Sequence, residues 1–148
     1  MNKRERSERL REKPTIVVSA LIKNGGKYLI VRDDGFSFWR PPGGRVDWGE
    51  PIDKALKREM REELCTNIEV VRVLGFGEDS PIRETRGFKT HRVVLYYLCR
   101  TKGKIKSYND SEHGAKMKWV SLGELLKTKE LEPAFRDMVK RFGKKGLA

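Results

Sequence analysis

The stretch 51–64, PIDKALKREMREEL, constrains this chain more than any other, because its residues favour a helix while its charges sit where a solvated helix would not put them. Pro51 fits a first helical turn, Asp53 supplies an acidic start, and good helix formers follow. At about 100° per residue with Ile52 at zero, Leu56, Met60 and Leu64 fall near 40°, 80° and 120° and form one apolar stripe. Glu59, Glu63 and Glu62 land near −20°, 20° and −80°, beside or inside its edge, while Lys54, Arg61 and Lys57 lie at about 140° to 200°. Bases therefore face water and acids lean toward the protein. Opposite charges four residues apart would stabilise a helix by about 0.2–0.5 kcal/mol per pair, whereas Glu59 and Glu63 are like charges at that spacing. Sheltered carboxylates without a partner take up protons or cost several kcal/mol, so a cation is expected beside them. Oxygen ligands suit Mg²⁺ or Mn²⁺ better than zinc.

The rest of the chain alternates strand and turn signals around this helix. Residues 15–22 form a continuous β-rich run, Asn24-Gly25-Gly26 supplies a turn, and 28–32 continues apolar, which predicts a hairpin. Asp33-Asp34-Gly35 predicts a turn toward Phe38 and Trp39. Pro41-Pro42-Gly43-Gly44 predicts a loop of unusual backbone shape. Residues 68–76 and 92–99 predict strands, and 78–90 a polar loop of the size that often carries function. A short strand at 116–120 and helices at 122–127 and 133–142 complete the pattern. Strands on both sides of a central helix without βαβ regularity predict an α+β fold, a mixed sheet with helices on its faces.

With 148 residues the chain is about one domain long. Its organisation is expected to be a basic segment over 1–14 and a single domain over 15–148. No apolar run approaches the roughly 20 residues needed to cross a bilayer, so no membrane partner is expected. The N-terminal segment has three glutamates and no apolar core, unlike a secretory signal, which predicts a cytoplasmic setting. Cys65 and Cys99 are the two cysteines and have no metal-ligand spacing, which argues against a disulfide frame. The net charge of +12 favours anionic partners. Much of it sits at the ends, six bases against three acids in 1–14 and five against one in 136–148, where solvated termini account for it better than a nucleic-acid patch.

From Gly44 the chain runs GRVDWGEPIDKALKREMREELCT: glycine, five residues, Glu50, seven residues, then Arg58-Glu59-Met60-Arg61-Glu62-Glu63-Leu64. This resembles the signature of the Nudix hydrolases, G-x5-E-x7-R-E-U-x-E-E-x-G-U with U aliphatic. Cys65 stands where the family has glycine and Thr66 where it has a closing aliphatic, which touches the helix end rather than any acid. The Pro-Gly-Gly before the box and the late Trp119-Val120-Ser121-Leu122 also look like the family pattern. The resemblance implies an α/β/α sandwich and hydrolysis of a nucleoside diphosphate linked to another group, with an anionic nucleotide as substrate and a nucleic acid allowed but not favoured. A homodimer is common in such proteins.

Roles follow residue by residue from that resemblance. Glu59, Glu62 and Glu63 hold one or more Mg²⁺ ions, one of them able to act as base, and the carbonyl of Gly43 is a further ligand. Arg58 pairs with Glu50 and orients the acids. Glu112, in a late loop, is a further ligand or base, or else a solvated acid. Arg83, Arg86, Lys89 and Arg92 either meet substrate phosphates or face water. Trp39 stacks a base or packs in the core; Tyr96 and Tyr97 alternate across a strand, Cys99 is packing, and His91 and His113 are surface histidines. Members that cleave ADP-ribose often carry a proline about fifteen residues past the box, and Pro81 lies fifteen past Thr66. That tilts the expectation slightly toward ADP-ribose, with a nucleoside triphosphate, an RNA 5′ end, or a binding module without catalysis as alternatives.

Overall fold

A computed structural model describes residues 2, 13–33, 37–83, 89–105 and 116–148, with side chains described for all of these except 80–83 and 89–90. Strand β1 (Thr15–Asn24) turns through Gly25 and Gly26, both at positive φ, into β2 (Lys27–Arg32), the expected hairpin. The short β3 (Gly43–Arg45) precedes α1 (Ile52–Leu64), and the long β4 (Ile68–Arg83) and β5 (Lys89–Thr101) pair antiparallel. Strand β6 (Lys116–Val120) and helices α2 (Leu122–Lys127) and α3 (Pro133–Phe142) close the order.

The sheet runs β4-β5-β1-β2-β6, with β3 added to β1. It is mixed because β1 and β5 are parallel, Thr15 opposite Arg92 through Ile22 opposite Cys99, while the other pairs are antiparallel. The central strand is buried on both sides, which is why 17–22 reads as an apolar run interrupted only by the small Ser19 rather than as an alternation. Val18, Ala20 and Ile22 face α1 and its Ala55, Leu56, Met60 and Leu64. Val17 and Leu21 face the other way, toward Phe135 and Met138 of α3 and Leu125 of α2. Each fully buried Leu or Met contributes about 1.5–3 kcal/mol, so both faces of the sheet hold their helices by apolar burial. Gly77 lets α3 come close, since a Cβ there would overlap the carbonyl of Ala134. The result is an α/β/α sandwich. Tyr96 and Tyr97 take opposite faces, and Cys99 is buried as packing.

Three expectations are corrected. Gly43 and Gly44 lie in a strand, pairing with Ser19 and Val18, and neither has positive φ. Close approach demands glycine there, because a Cβ at Gly43 would overlap the Val18 carbonyl and one at Gly44 the Glu59 carboxylate. Most of the loop expected over 78–90 is strand: β4 runs to Arg83 and β5 starts at Lys89, while 84–88 lie outside the described residues. Pro81 is tolerated because β4 is an edge strand with a register shift between Asp79 and Ile82. Ile52, placed on the apolar stripe, is 38% exposed, because burial on this helix starts only at Ala55 and its first turn is left in solvent. Part of the expected turn at 33–35 lies outside the described residues, as does the N-terminal segment apart from Asn2, Lys13 and Pro14. Among the described residues no helix is long and apolar enough to cross a membrane.

Candidate active site

The helix and the β3 strand meet at the acids. Glu59 is 13% exposed at its side chain, pressed against Gly44, and its Oε1 accepts from Arg58 Nη1 at 3.0 Å. Arg58 is a hub: its Nε donates to Glu50 Oε2 at 2.7 Å, Nη2 to Glu50 Oε1 at 3.0 Å and to the Arg45 carbonyl at 3.1 Å. Glu50 also accepts from the Asp47 N–H at 3.1 Å, and its own N–H returns to the Asp47 carbonyl at 2.9 Å. The Arg58 contact lowers the Glu50 carboxyl below its ordinary range. The expected pairing of Arg58 with Glu50 is present.

Glu63 is the sheltered acid. Its Oε2 is buried without a hydrogen-bond partner. Burial pushes its carboxyl up to about 8, with Glu59 and Asp33 raising it further and Arg40 and the Gly43 backbone opposing. Burial likewise raises Glu59, against the pull of Arg58. Two carboxylates on one helix face, one with a buried oxygen that has no partner, fit a divalent cation: a hard charge would supply what the protein does not. Glu62 is not drawn in. It is 60% exposed and bound to Arg58 Nη1 at 3.2 Å, since its place on the wheel lies past the sheltered edge. Among the described residues no three carboxylate, imidazole or thiol groups already stand together at metal-binding geometry.

Sequence reasoning missed Arg40 and Asp33. Arg40 is buried, donates from Nη2 to Asp33 Oδ2 at 2.8 Å and from Nη1 to the Gly43 carbonyl at 3.4 Å, and so brings positive charge to the acid pair. A lone arginine before two prolines was the only signal, and it carries no periodicity. Trp39, the next residue back, points the other way. Its backbone bridges to Leu131, and its ring packs on the α3 face beneath Lys118 Nζ, 4.2 Å from the centroid. It is not brought to the acids. Arg92 is neither solvated nor offered to phosphate: it is buried, bound to Asp79 at 2.6 Å and 3.1 Å and to Glu132 at 2.8 Å, and Tyr96 donates to Glu132. That network pins β4, β5 and the start of α3. His91 lies beside Glu78 at 3.2 Å, as a strand-surface histidine. Arg83 and Lys89 pair across β4 and β5, and Glu112, Arg86 and His113 lie outside the described residues.

Comparison with known proteins accords with this geometry. The NUDIX domain family matches residues 13–142. A protein of Enterobacter sp. (strain 638), the nucleoside triphosphatase NudI, is 30% identical over 141 residues, covering 88% of this chain and 96% of that protein. The MutT protein of Methanosarcina mazei Go1 superposes with a TM-score of 0.71 at 27% identity, covering 88% of this chain and 94% of the other. A MutT NUDIX hydrolase from Burkholderia pseudomallei superposes with a TM-score of 0.70 at 28% identity over 87% and 98%.

Proposed function

The chain belongs to the NUDIX family and is a pyrophosphohydrolase acting on nucleotides, and from that premise we propose that its substrates are nucleoside triphosphates, cleaved with Mg²⁺. The observation that carries the metal requirement is the buried, unpartnered Oε2 of Glu63, on a carboxyl close enough to feel the charge of Glu59. Glu59, Glu63 and the Gly43 carbonyl would hold the ion, joined by Glu62 once it leaves Arg58. A bound Mg²⁺ would neutralise phosphate charge and favour in-line attack.

The protein's own residues perform the remaining tasks. Arg58, fixed by Glu50, sets the direction of the Glu59 carboxylate. Arg40, held by Asp33, keeps the Gly43 carbonyl in place and offsets the negative charge that Glu59 and Glu63 share. A carboxylate of this cluster accepts the proton of the attacking water as the P–O–P bridge breaks, and the leaving phosphate departs with the bridging oxygen. Glu112 is proposed as a further ligand or base. Arg83, Arg86 and Lys89 are proposed as phosphate contacts.

The nucleoside triphosphate reading is supported by the similarity to NudI, which spans 96% of that protein. The sequence expectation of ADP-ribose rests on Pro81, which an edge strand with a register shift also accounts for. Incubation of the purified protein with nucleoside triphosphates, ADP-ribose, dinucleoside polyphosphates and 5′-triphosphorylated RNA, with and without Mg²⁺, tests both. Metal-dependent hydrolysis fastest on a nucleoside triphosphate is expected. Faster cleavage of ADP-ribose or RNA ends would replace the substrate, and no phosphate release from any of them would leave a nucleotide-binding module.

A further inference from the structure

Trp48 is fully exposed, at 101% of its reference surface, although it is among the residues most favoured for burial by size. It is not on a loose loop. Asp47 and Glu50 close the turn around it with reciprocal contacts of 2.9 and 3.1 Å, Gly49 supplies φ +81°, and Arg58 ties the base of the turn through Arg45, Asp47 and Glu50. The indole thus projects into water from a closed turn, and Ile52, four residues on, is also exposed. An aromatic platform that contributes nothing to the core is suited to stacking with something outside the molecule.

The helix that begins four residues after Trp48 carries positive charge on its exposed face. Lys54, Lys57 and Arg61 are exposed, three and four residues apart, and none makes an ion pair or side-chain hydrogen bond among the described residues. Of the acids near them in sequence, Glu62 and Asp47 turn to Arg58. The stripe is about 10 Å long, roughly three nucleotides at ~3.4 Å per stacked base. A fully exposed indole followed in sequence by a row of exposed cations on one helix has the chemistry of a single-stranded nucleic-acid site, bases stacking on the ring and phosphates tracking the helix.

We propose that Trp48 together with Lys54, Lys57 and Arg61 forms a binding surface for single-stranded RNA or DNA, separate from the acid cluster and independent of which nucleotide that cluster cleaves. The probe is a fluorescein-labelled U10 oligomer with a 5′-hydroxyl, which carries no phosphoanhydride for the hydrolase to cut. Anisotropy is followed from 50 to 300 mM salt for the wild type, Trp48→Ala and Lys57→Ala/Arg61→Ala, with nucleoside triphosphate hydrolysis measured in parallel. Trp48→Ala should weaken binding by about tenfold or more. The double variant should flatten the dependence of log K on log salt by about 1.4, from ~0.7 per lost phosphate contact on a single strand. Both should keep the wild-type hydrolysis rate, and dT10 in place of U10 distinguishes RNA from DNA. Four results overturn the proposal: no oligomer binding, binding unchanged in either variant, displacement of the oligomer by nucleoside triphosphate at the acid cluster, or capture of the protein by phosphatidylserine vesicles without oligomer binding.

Discussion

Arg58 grips Glu50 in a two-point contact, Nε to Oε2 at 2.7 Å and Nη2 to Oε1 at 3.0 Å, and spends its remaining nitrogen on Glu59 at 3.0 Å. One guanidinium therefore links the turn before the helix to an acid of the site. A lysine has a single point charge and cannot reproduce that fork. Arg58→Lys and Glu50→Gln are both expected to lower kcat/KM and Mg²⁺ affinity by about 10–100-fold, as loss of a partner behind a metal ligand does. Isothermal calorimetry with Mg²⁺ and steady-state kinetics check this, and wild-type values in Arg58→Lys would remove Arg58 from its orienting role.

Gly43 and Gly44 should part company under substitution by alanine. At Gly44 the atoms nearest the added methyl belong to the Glu59 carboxylate, a side chain that can swing away, so Gly44→Ala is expected to keep its melting temperature within a few degrees and lose most of its activity. At Gly43 it meets the backbone of Val18 and Ser19, so Gly43→Ala is expected to cost about 1–3 kcal/mol by overpacking. Paired melting and activity curves decide it; an active Gly44→Ala would mean that Glu59 need not stay where it is.

The raised Glu63 carboxyl gives a pH signature to the metal-free protein. Its ordinary value is 4.5 and burial takes it to about 8 in the fold, so the native state holds the proton more tightly than the unfolded one. Its contribution to stability is full below pH 4.5, declines as pH rises through about 8, and levels off above. Glu63→Gln should flatten that decline and melt higher than wild type at pH 8 without metal. Mg²⁺ should raise the wild-type melting temperature and leave the variant's nearly unchanged, while turnover of the variant is almost abolished. Equal Mg²⁺ stabilisation of both proteins would take Glu63 out of the ion site.

Cys65 ends α1 in the left-handed conformation, φ 52°, and its N–H reaches the Arg61 carbonyl at 3.1 Å. The departure from the family's glycine thus leaves the helix end intact but strained, since a side chain in this conformation costs about 1–2 kcal/mol, partly offset in glycine by its freer unfolded chain. Cys65→Gly is expected to gain about 0.5–1 kcal/mol. Cys65 is also exposed, whereas burial pushes the Cys99 thiol up to about 12. A thiol reagent should modify one cysteine in the native wild type and none in Cys65→Gly until it unfolds; a second fast thiol, or a less stable variant, contradicts this.

Much of this was legible in the chain itself. The span of α1 and the separation of its bases from Glu59 and Glu63 follow from spacing alone, as do the hairpin at Gly25-Gly26 and the limits of β6, α2 and α3. The pairing of Arg58 with Glu50 came from the box resemblance. Illegible were features set by neighbours distant in sequence. Gly43-Gly44 reads as part of an irregular loop until β1 pairs with it, and 78–83 reads as a loop until β5 supplies a partner. Arg92 looks like a surface cation until Asp79 and Glu132, 13 and 40 residues away, enclose it.

The amino-acid order by itself decided the periodicity of α1, and hence which acids share an edge, because 3.6 residues per turn is a property of the backbone. Tertiary packing decided which of them matter. Desolvation depends on the strands that cover a group, so only the assembled sheet could leave Glu63 Oε2 bare and set Arg40 beside the acid pair.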